Sequence, residues 1–275
     1  MNKKETTRTA TDKPETAIAA RTPSWALLCL LWLILQPSQA HASSYSVTPT
    51  SLDLSSSAKS GAFSVLNSGD GQLKCQIDVK EWSQDSEGKD VYTEAKDIVF
   101  FPKIMTVEVN EQRAIRIGVK GPPSQKERTY RIFVEEIPSQ KKAPDLKAPG
   151  KIAAGLTIAF RYAVPIFVMP MKRQESSIIE KIELSKGMAR TIIRNTGNVH
   201  IKLSTVAFRG KTVDGKELFV NEAGGWYVLN GMSRKYEATV PKEHCGDLAV
   251  IEVIARSESS TITGSLHVDA AMCAQ

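Results

Sequence analysis

The residues that could carry acid–base, nucleophilic or metal chemistry are few and scattered. After residue 43 the histidines are His200, His244 and His267, and none of them belongs to a His-Glu-x-x-His motif. No Gly-x-Ser-x-Gly elbow, P-loop or dinucleotide fingerprint occurs in the sequence. The adjacent residues His244 and Cys245 lack the spacing of a metal-ligand set. We therefore expect no catalytic residues, no metal and no cofactor, and we predict that the chain is not an enzyme.

The cysteines offer redox chemistry instead. Cys245 and Cys273 both lie in the last third of the chain, where an oxidising compartment would allow them to pair. A disulfide closing a loop of this size stabilises a fold by about 3 to 4 kcal/mol in the chain-entropy model. Cys75 lies in LKCQIDV, which alternates like a strand, and we expect it to be a buried free thiol.

One stretch has the pattern of an apolar strand that could bind a partner. It follows the long polar segment PSQKKAPDLKAPGKIAAG, which no packed core would accept. Every second side chain of this stretch is large and apolar: Leu156, Ile158, Phe160, Tyr162 and Val164. The side chains between them, from Thr157 to Ala163, are small or polar, and this alternation is typical of a β-strand. Alternation alone does not distinguish a core strand from a strand that awaits a partner.

The elements around this strand are also β-rich. Short runs such as AFSVLN, CQIDVKEW and TYRIFVEEIP are separated by segments with turn chemistry, and a similar series restarts after Pro170. Strands at this spacing are typical of β-sandwiches or barrels. We therefore predict an all-β protein with two sandwich domains, at residues 43–170 and 171–275.

Composition agrees with an ordinary globular protein of two domains. The 275 residues are 41% apolar and carry a net charge of +6. The basic residues are scattered and are not interleaved with aromatic residues as in nucleic-acid-binding proteins, so no nucleic-acid partner is expected.

The N-terminus has the features of a secretory signal peptide. Basic residues precede the apolar run WALLCLLWLIL at residues 25–35, and Ala40-His41-Ala42 fits the small-x-small cleavage rule. The apolar run is shorter than the roughly 20 residues of a membrane span. We predict that residues 1–42 are removed and that the mature protein begins near Ser43, exported and not inserted in a membrane.

Four segments, in order, resemble the N-terminal domain of periplasmic pilus-assembly chaperones, the PapD-like family. They are VKEWSQDSEGKDVY, FFPKIMTVEVNEQRAIRIG, ERTYRIFVEEIP and IAFRYAVPIF. The W-x-Q-D and RYAVPIF motifs resemble most the archaic branch of the chaperone–usher pathway. The resemblance is good over residues 43–172 and weaker over 173–275.

This resemblance implies two immunoglobulin-like sandwiches at an angle, with a cleft between them. It also implies that the chain works in the periplasm, lends residues 156–168 to an incomplete pilin or fimbrial subunit, and delivers that subunit to an outer-membrane usher. Lending a strand in this way is donor-strand complementation, a form of β-strand addition. The apolar strand would then be kept exposed at an edge because its partner is obligatory.

The resemblance also suggests which basic residues bind the terminal carboxylate of the subunit. The classical branch of the family uses an arginine and a lysine at positions that are Ser51 and Pro165 in this sequence. The archaic branch places the arginine in the YR of the segment ERTYRIFVEEIP, which gives Arg131, and the lysine just beyond the donor strand of residues 156–168. Lys172 matches the latter with a one-residue offset, and Arg161 is the competing anchor.

Two further features bear on this interpretation. Met169 occupies the position at which the classical branch has an arginine that ties the two domains together. The sequence therefore does not predict whether the hinge between the domains is rigid. The alternative function is that of an exported structural or adhesive β-sandwich protein, such as a minor surface subunit. Such a subunit would need a donor-like N-terminal extension, whereas SSYSVTPTSLDL reads as an ordinary first strand.

Overall fold

The computed structural model describes residues 45–138, 159–269 and 272, and the regular structure in them is almost entirely β-strand. Ten strands precede residue 170: β1 Tyr45–Thr48, β2 Leu52–Leu54, β3 Ser60–Asn67, β4 Leu73–Gln84, β5 Asp90–Glu94, β6 Ile98–Phe101, β7 Ile104–Val107, β8 Gln112–Val119, β9 Arg128–Glu136 and β10 Arg161–Val168. Eight strands follow: β11 Ser177–Ser185, β12 Met188–Asn195, β13 Ile201–Lys211, β14 Glu217–Gly224, β15 Tyr227–Val228, β16 Ser233–Thr239, β17 Val250–Ser257 and β18 Thr261–His267. A 3-10 turn occupies Lys242–His244. Within these described ranges, no helix is long and apolar enough to cross a membrane.

The first ten strands form one sandwich. A four-stranded sheet has the order β1-β3-β8-β6, and a six-stranded sheet has the order β2-β10-β9-β4-β5, with β7 also paired to β4. The alternation of β4 explains its place, because Leu73, Cys75, Ile77 and Val79 are buried while their neighbours face away. Buried residues of both sheets form one core cluster, so the two sheets pack face to face.

The later strands form a second sandwich. Its sheets have the orders β11-β12-β16 and β14-β13-β17-β18, with β15 paired to β13. Ile193 of the first sheet and Phe208 of the second are both fully buried in a common core. The prediction of an all-β fold with two sandwiches is confirmed. No sheet of the described residues combines strands from the two sides of residue 170, where the predicted domain boundary lies.

A small apolar cluster and a buried carboxylate join the two sandwiches. Trp82 and Phe167 of the first sandwich pack with Leu229 of the second, and Met169 packs against this cluster. The Glu127 side chain is fully buried, with its carboxylate oxygens 2.9 and 3.0 Å from Nδ1 of His200. Packing and this pair therefore connect the two sandwiches close to Met169.

Candidate functional site

Strand β10 is paired differently along its two halves. It runs antiparallel to β9 over its whole length, from Arg161 opposite Glu135 to Val168 opposite Arg128. On its other side it pairs with β2 only through Ile166–Val168. Among the described residues, 161–165 therefore have a strand neighbour on one side only. The stretch ends at Pro165, which lacks an N–H, and proline within a sheet is characteristic of edge strands.

The side chains beside this open edge are apolar and partly exposed. Phe160 and Tyr162 are 36% and 37% exposed. Val164 has the same parity but is 6% exposed and belongs to the core of the first sandwich. Leu156 and Ile158, predicted on the same face, lie outside the described residues. The exposed part of the predicted face that the structure describes thus consists of Phe160 and Tyr162.

Tyr45, at the start of β1, holds these two residues in place. Its hydroxyl donates to the carbonyl of Phe160 at 2.9 Å, and its own carbonyl accepts from the Tyr162 hydroxyl at 2.7 Å. The two tyrosine rings meet edge-on with centroids 4.8 Å apart. Burial, followed by the nearby Cys75 and Glu136, raises the pKa of Tyr45 far above its ordinary value, so its hydroxyl stays a neutral donor. These contacts fix the positions of Phe160 and Tyr162 in the free chain.

Arg131 lies on the opposite face of the same sheet. Along β9, Tyr130, Ile132 and Val134 are in the core, and the alternation turns Arg131 outward. The residue is nevertheless only 7% exposed, because aromatic rings surround it. Its guanidinium carbon is 3.9 Å from the ring centroid of Trp82 and 5.3 Å from that of Trp226, a residue of the second sandwich. Such distances are those of cation–π contacts.

The polar contacts of Arg131 are incomplete. Nη1 donates to the Tyr92 hydroxyl at 2.9 Å, and Nη2 is 3.6 Å from Oδ2 of Asp90. Nε is buried and has no acceptor among the residues that the structure describes. Burial is the largest influence on Tyr92 and raises its pKa, which keeps the hydroxyl neutral. A buried guanidinium N–H without a partner is costly, and a carboxylate would satisfy it.

The β4–β5 hairpin and the second sandwich together build this site. Asp85 accepts hydrogen bonds from the N–H groups of Glu87 and Lys89, both at 2.9 Å, which fixes the hairpin turn. Gly88 has φ +75°, and a Cβ there would lie 2.9 Å from the Ser233 carbonyl oxygen, so the turn requires glycine. The carbonyl of Gly88 accepts a hydrogen bond from Nη1 of Arg234 at 2.6 Å.

Gln84 connects the hairpin to the second sandwich directly. Its side chain donates to the Tyr227 carbonyl at 2.9 Å and accepts from the Leu229 N–H at 3.0 Å. Within the W-x-Q-D motif, Trp82 therefore packs at the contact between the two sandwiches, and Gln84 forms hydrogen bonds across it. The contributions of Asp90, Tyr92 and Trp226 were missed, because no pattern in the sequence marks them.

The two other predicted anchors lie apart from Arg131. Arg161 stacks on Phe133 at 4.2 Å and is 3.6 Å from Glu135, with its side chain 54% exposed. It is opposite Glu135, four residues along β9 from Arg131, which places the two backbones about 13 Å apart. Lys172 is exposed, and its carbonyl accepts from Asn198. Within the described ranges, neither residue contacts Arg131.

The cysteines fall into two groups. Cys245 is disulfide-bonded, and its predicted partner, Cys273, lies outside the described residues, so this pairing stays a prediction. Cys75 is free and fully buried, as predicted. Burial, with a smaller effect of Glu136, raises the pKa of its thiol to about 12. No cluster of metal-ligating side chains occurs in the part of the chain that the structure describes.

Comparison with known proteins gives both a family and a fold. None of the curated proteins searched matches the chain. A CsuC–CsuE chaperone-tip adhesion subunit pre-assembly complex, from the archaic chaperone–usher Csu pili of Acinetobacter baumannii, matches 81% of this chain and 97% of its own, with 18% identity and a TM-score of 0.57. A Salmonella enterica SafA pilin in complex with the SafB chaperone matches 82% and 98%, with 16% identity and a TM-score of 0.51. At these identities the likeness shows the fold, that of two-domain chaperones with immunoglobulin-like sandwiches.

The family is given by the first sandwich. Residues 44–174 match the family model described as pili and flagellar-assembly chaperone, PapD N-terminal domain. This range contains the open half of β10, Arg131 and the hairpin that surrounds it. The first sandwich therefore belongs to the PapD-like family of pilus-assembly chaperones.

Proposed function

We propose that the chain is a periplasmic chaperone that binds a pilin or fimbrial subunit by donor-strand complementation. The observation that carries the proposal is the half-paired strand β10, with an open edge at residues 161–165 and the exposed side chains of Phe160 and Tyr162 beside it. The matched family is one of pilus and flagellar assembly chaperones, in agreement with the prediction that the chain is not an enzyme. The proposed domains are residues 43–170 and 171–275.

Binding at this edge would combine three contributions. Backbone hydrogen bonds along residues 161–165 would set the register, since a slip of one residue turns every side chain to the other face. Burial of Phe160 in an apolar groove would contribute about 1.5 to 3 kcal/mol. The subunit's terminal carboxylate would bind Arg131, where a charged hydrogen bond contributes about 1.5 to 3 kcal/mol. Leu156 and Ile158 would extend the same apolar row.

Delivery to an outer-membrane usher requires a second surface that stays free while the subunit is bound. Phe101 and Ile104 are 73% and 57% exposed and line a hollow of about 440 Å³ with Pro102. They lie where β6 and β7 meet, at the sheet edges opposite β1, β2 and β10. A subunit on β10 would leave them uncovered, so we propose this apolar surface for the usher.

Co-expression with a tagged pilin of the same organism tests the chaperone function. Soluble pilin recovered from the periplasm, with the chain bound to it, is the expected result. Phe160→Asp should abolish recovery because it places an unpaired carboxylate in the groove, whereas Thr157→Asp, of the opposite parity in the sequence, should preserve it. Hydrogen exchange should show new protection at residues 161–164. Recovery that is equal for both variants would contradict the proposal, and incorporation of the chain itself into surface fibres would favour the structural-subunit alternative.

A further inference from the structure

Asp90 is the carboxylate that accompanies Arg131 in the free chain. Its side chain is 17% exposed, and Oδ2 lies 3.6 Å from Nη2 of the arginine. Oδ1 accepts from Nε2 of Gln84 and Oδ2 from Nε1 of Trp226, both at 3.2 Å. Hydrogen-bond donors from both sandwiches thus hold the Asp90 carboxylate beside Arg131, which is buried and stacks on Trp82.

The pairing between Asp90 and Arg131 leaves the guanidinium unsatisfied. Nε and Nη2 form one edge of the guanidinium, and a bidentate carboxylate would contact both at about 2.7 to 2.9 Å. Here Nη2 is 3.6 Å from its partner, and Nε has no acceptor within the described ranges. The charge of Arg131 is therefore balanced while its hydrogen-bonding capacity on that edge remains unused. A ligand carboxylate can improve on Asp90 only by reaching this edge.

We propose that Asp90 is a resident competitor that weakens the binding of any carboxylate at Arg131. This inference rests on the proposed function, because the ligand in question is the subunit's terminal carboxylate. Asp90 opposes every incoming anion by like-charge repulsion and by lowering the net positive charge at Arg131. A free anion gains too little to overcome it. A terminal carboxylate that the paired edge strand presents at high effective concentration does overcome it.

Trp226 supplies a signal for this exchange. Its indole is 38% exposed, donates to Asp90 and lies over Arg131. Movement of Asp90 away from the guanidinium would change this hydrogen bond and hence the indole N–H resonance. Trp226→Phe identifies the resonance, since only that signal is lost.

Sodium acetate is the simplest probe, with acetamide at the same ionic strength as its control. Asp90→Asn removes the charge and keeps one side-chain oxygen as an acceptor. In protein purified from the periplasm, the Trp226 indole signal of Asp90→Asn should shift saturably with acetate, at least tenfold more tightly than in the wild type, and not with acetamide. Glu135→Gln, the same change of charge beside Arg161, should behave as wild type. No gain in acetate affinity on Asp90→Asn would overturn the proposal.

The pilin recovered by co-expression provides the second test. Asp90→Asn should raise affinity for the pilin with its native C-terminus about tenfold, and leave affinity unchanged for a pilin whose C-terminus is amidated. Lower affinity for both pilins would mean that Asp90 only supports the hairpin, and a gain with Glu135→Gln instead would make Arg161 the anchor. Either result refutes the proposal. Failure of the proposed function is distinguishable from these outcomes, because then no variant captures pilin and Phe160→Asp has no effect.

Discussion

The two halves of β10 belong to one strand but are exposed to different surroundings. Ile166–Val168 have strand neighbours on both sides, and Ile166 is fully buried. Residues 161–165 have a described neighbour on one side only, and the side chains of Tyr162 and of the preceding residue, Phe160, are more than a third exposed. The first half thus lacks the cover that β2 gives to the second. One continuous strand can therefore complete its own sandwich and still offer an edge to another protein.

The buried half should be the more important for stability. Ile166→Ala should lower the free energy of unfolding by about 2 to 5 kcal/mol, because it leaves a cavity in the core. Urea denaturation measures the difference. Phe160→Ala is the control from the open half and should cost clearly less. Equal losses would mean that both halves are core, and the comparison would fail.

The open half should be the more important for subunit capture. Phe160→Asp should weaken capture at least a hundredfold and leave the free protein folded, since the side chain is exposed before binding but enters an apolar groove in the complex. Circular dichroism checks the fold and affinity purification the capture. Should the variant unfold while the surviving folded protein binds normally, Phe160 is a core residue.

The carboxylate site should contribute less than the apolar edge. Arg131→Ala should weaken capture of a pilin with its native C-terminus at least tenfold, because the charged hydrogen bonds are lost. Lys172→Ala should have a smaller effect. Binding titrations with native and C-terminally amidated pilin separate the roles, since the amidated pilin should lose little further affinity. Equal losses for both pilins would mean that Arg131 does not bind the carboxylate, and Arg161 would become the anchor to test.

The smallest effect that we predict concerns Cys75, whose alkylation measures how rarely the first sandwich opens near residues 161–165. It pairs with Glu136 across β4 and β9 and is fully buried, with its thiol pKa raised to about 12. Native protein at pH 8 should therefore react with iodoacetamide far more slowly than unfolded protein. The raised pKa also predicts a loss of stability above pH 9, the ordinary value, because only the unfolded chain ionises there. Rapid alkylation of native protein, or a disulfide at Cys75 in non-reduced peptides, would contradict this.

Several features of the fold were predictable because they depend on local periodicity. Alternation in LKCQIDV predicts the buried parity of β4, and turn residues between short runs predict the sandwich class. For β10 the parity predicts which side chains share a face. It does not predict that Val164 is buried while Tyr162 is exposed, because that depends on how far the core of the first sandwich extends beneath the strand.

The sequence by itself determined the β-rich class and the apolar face that includes Phe160 and Tyr162, and through its motifs it indicated the family and predicted Arg131 as an anchor. Only the tertiary structure decided what surrounds that arginine. Asp90 reaches it from a neighbouring hairpin and Trp226 from the other sandwich, nearly a hundred residues away along the chain. The periodicity of a sequence predicts on which face of its own strand a side chain lies. Contacts between distant segments depend on how sheets and sandwiches pack, and no local pattern encodes them.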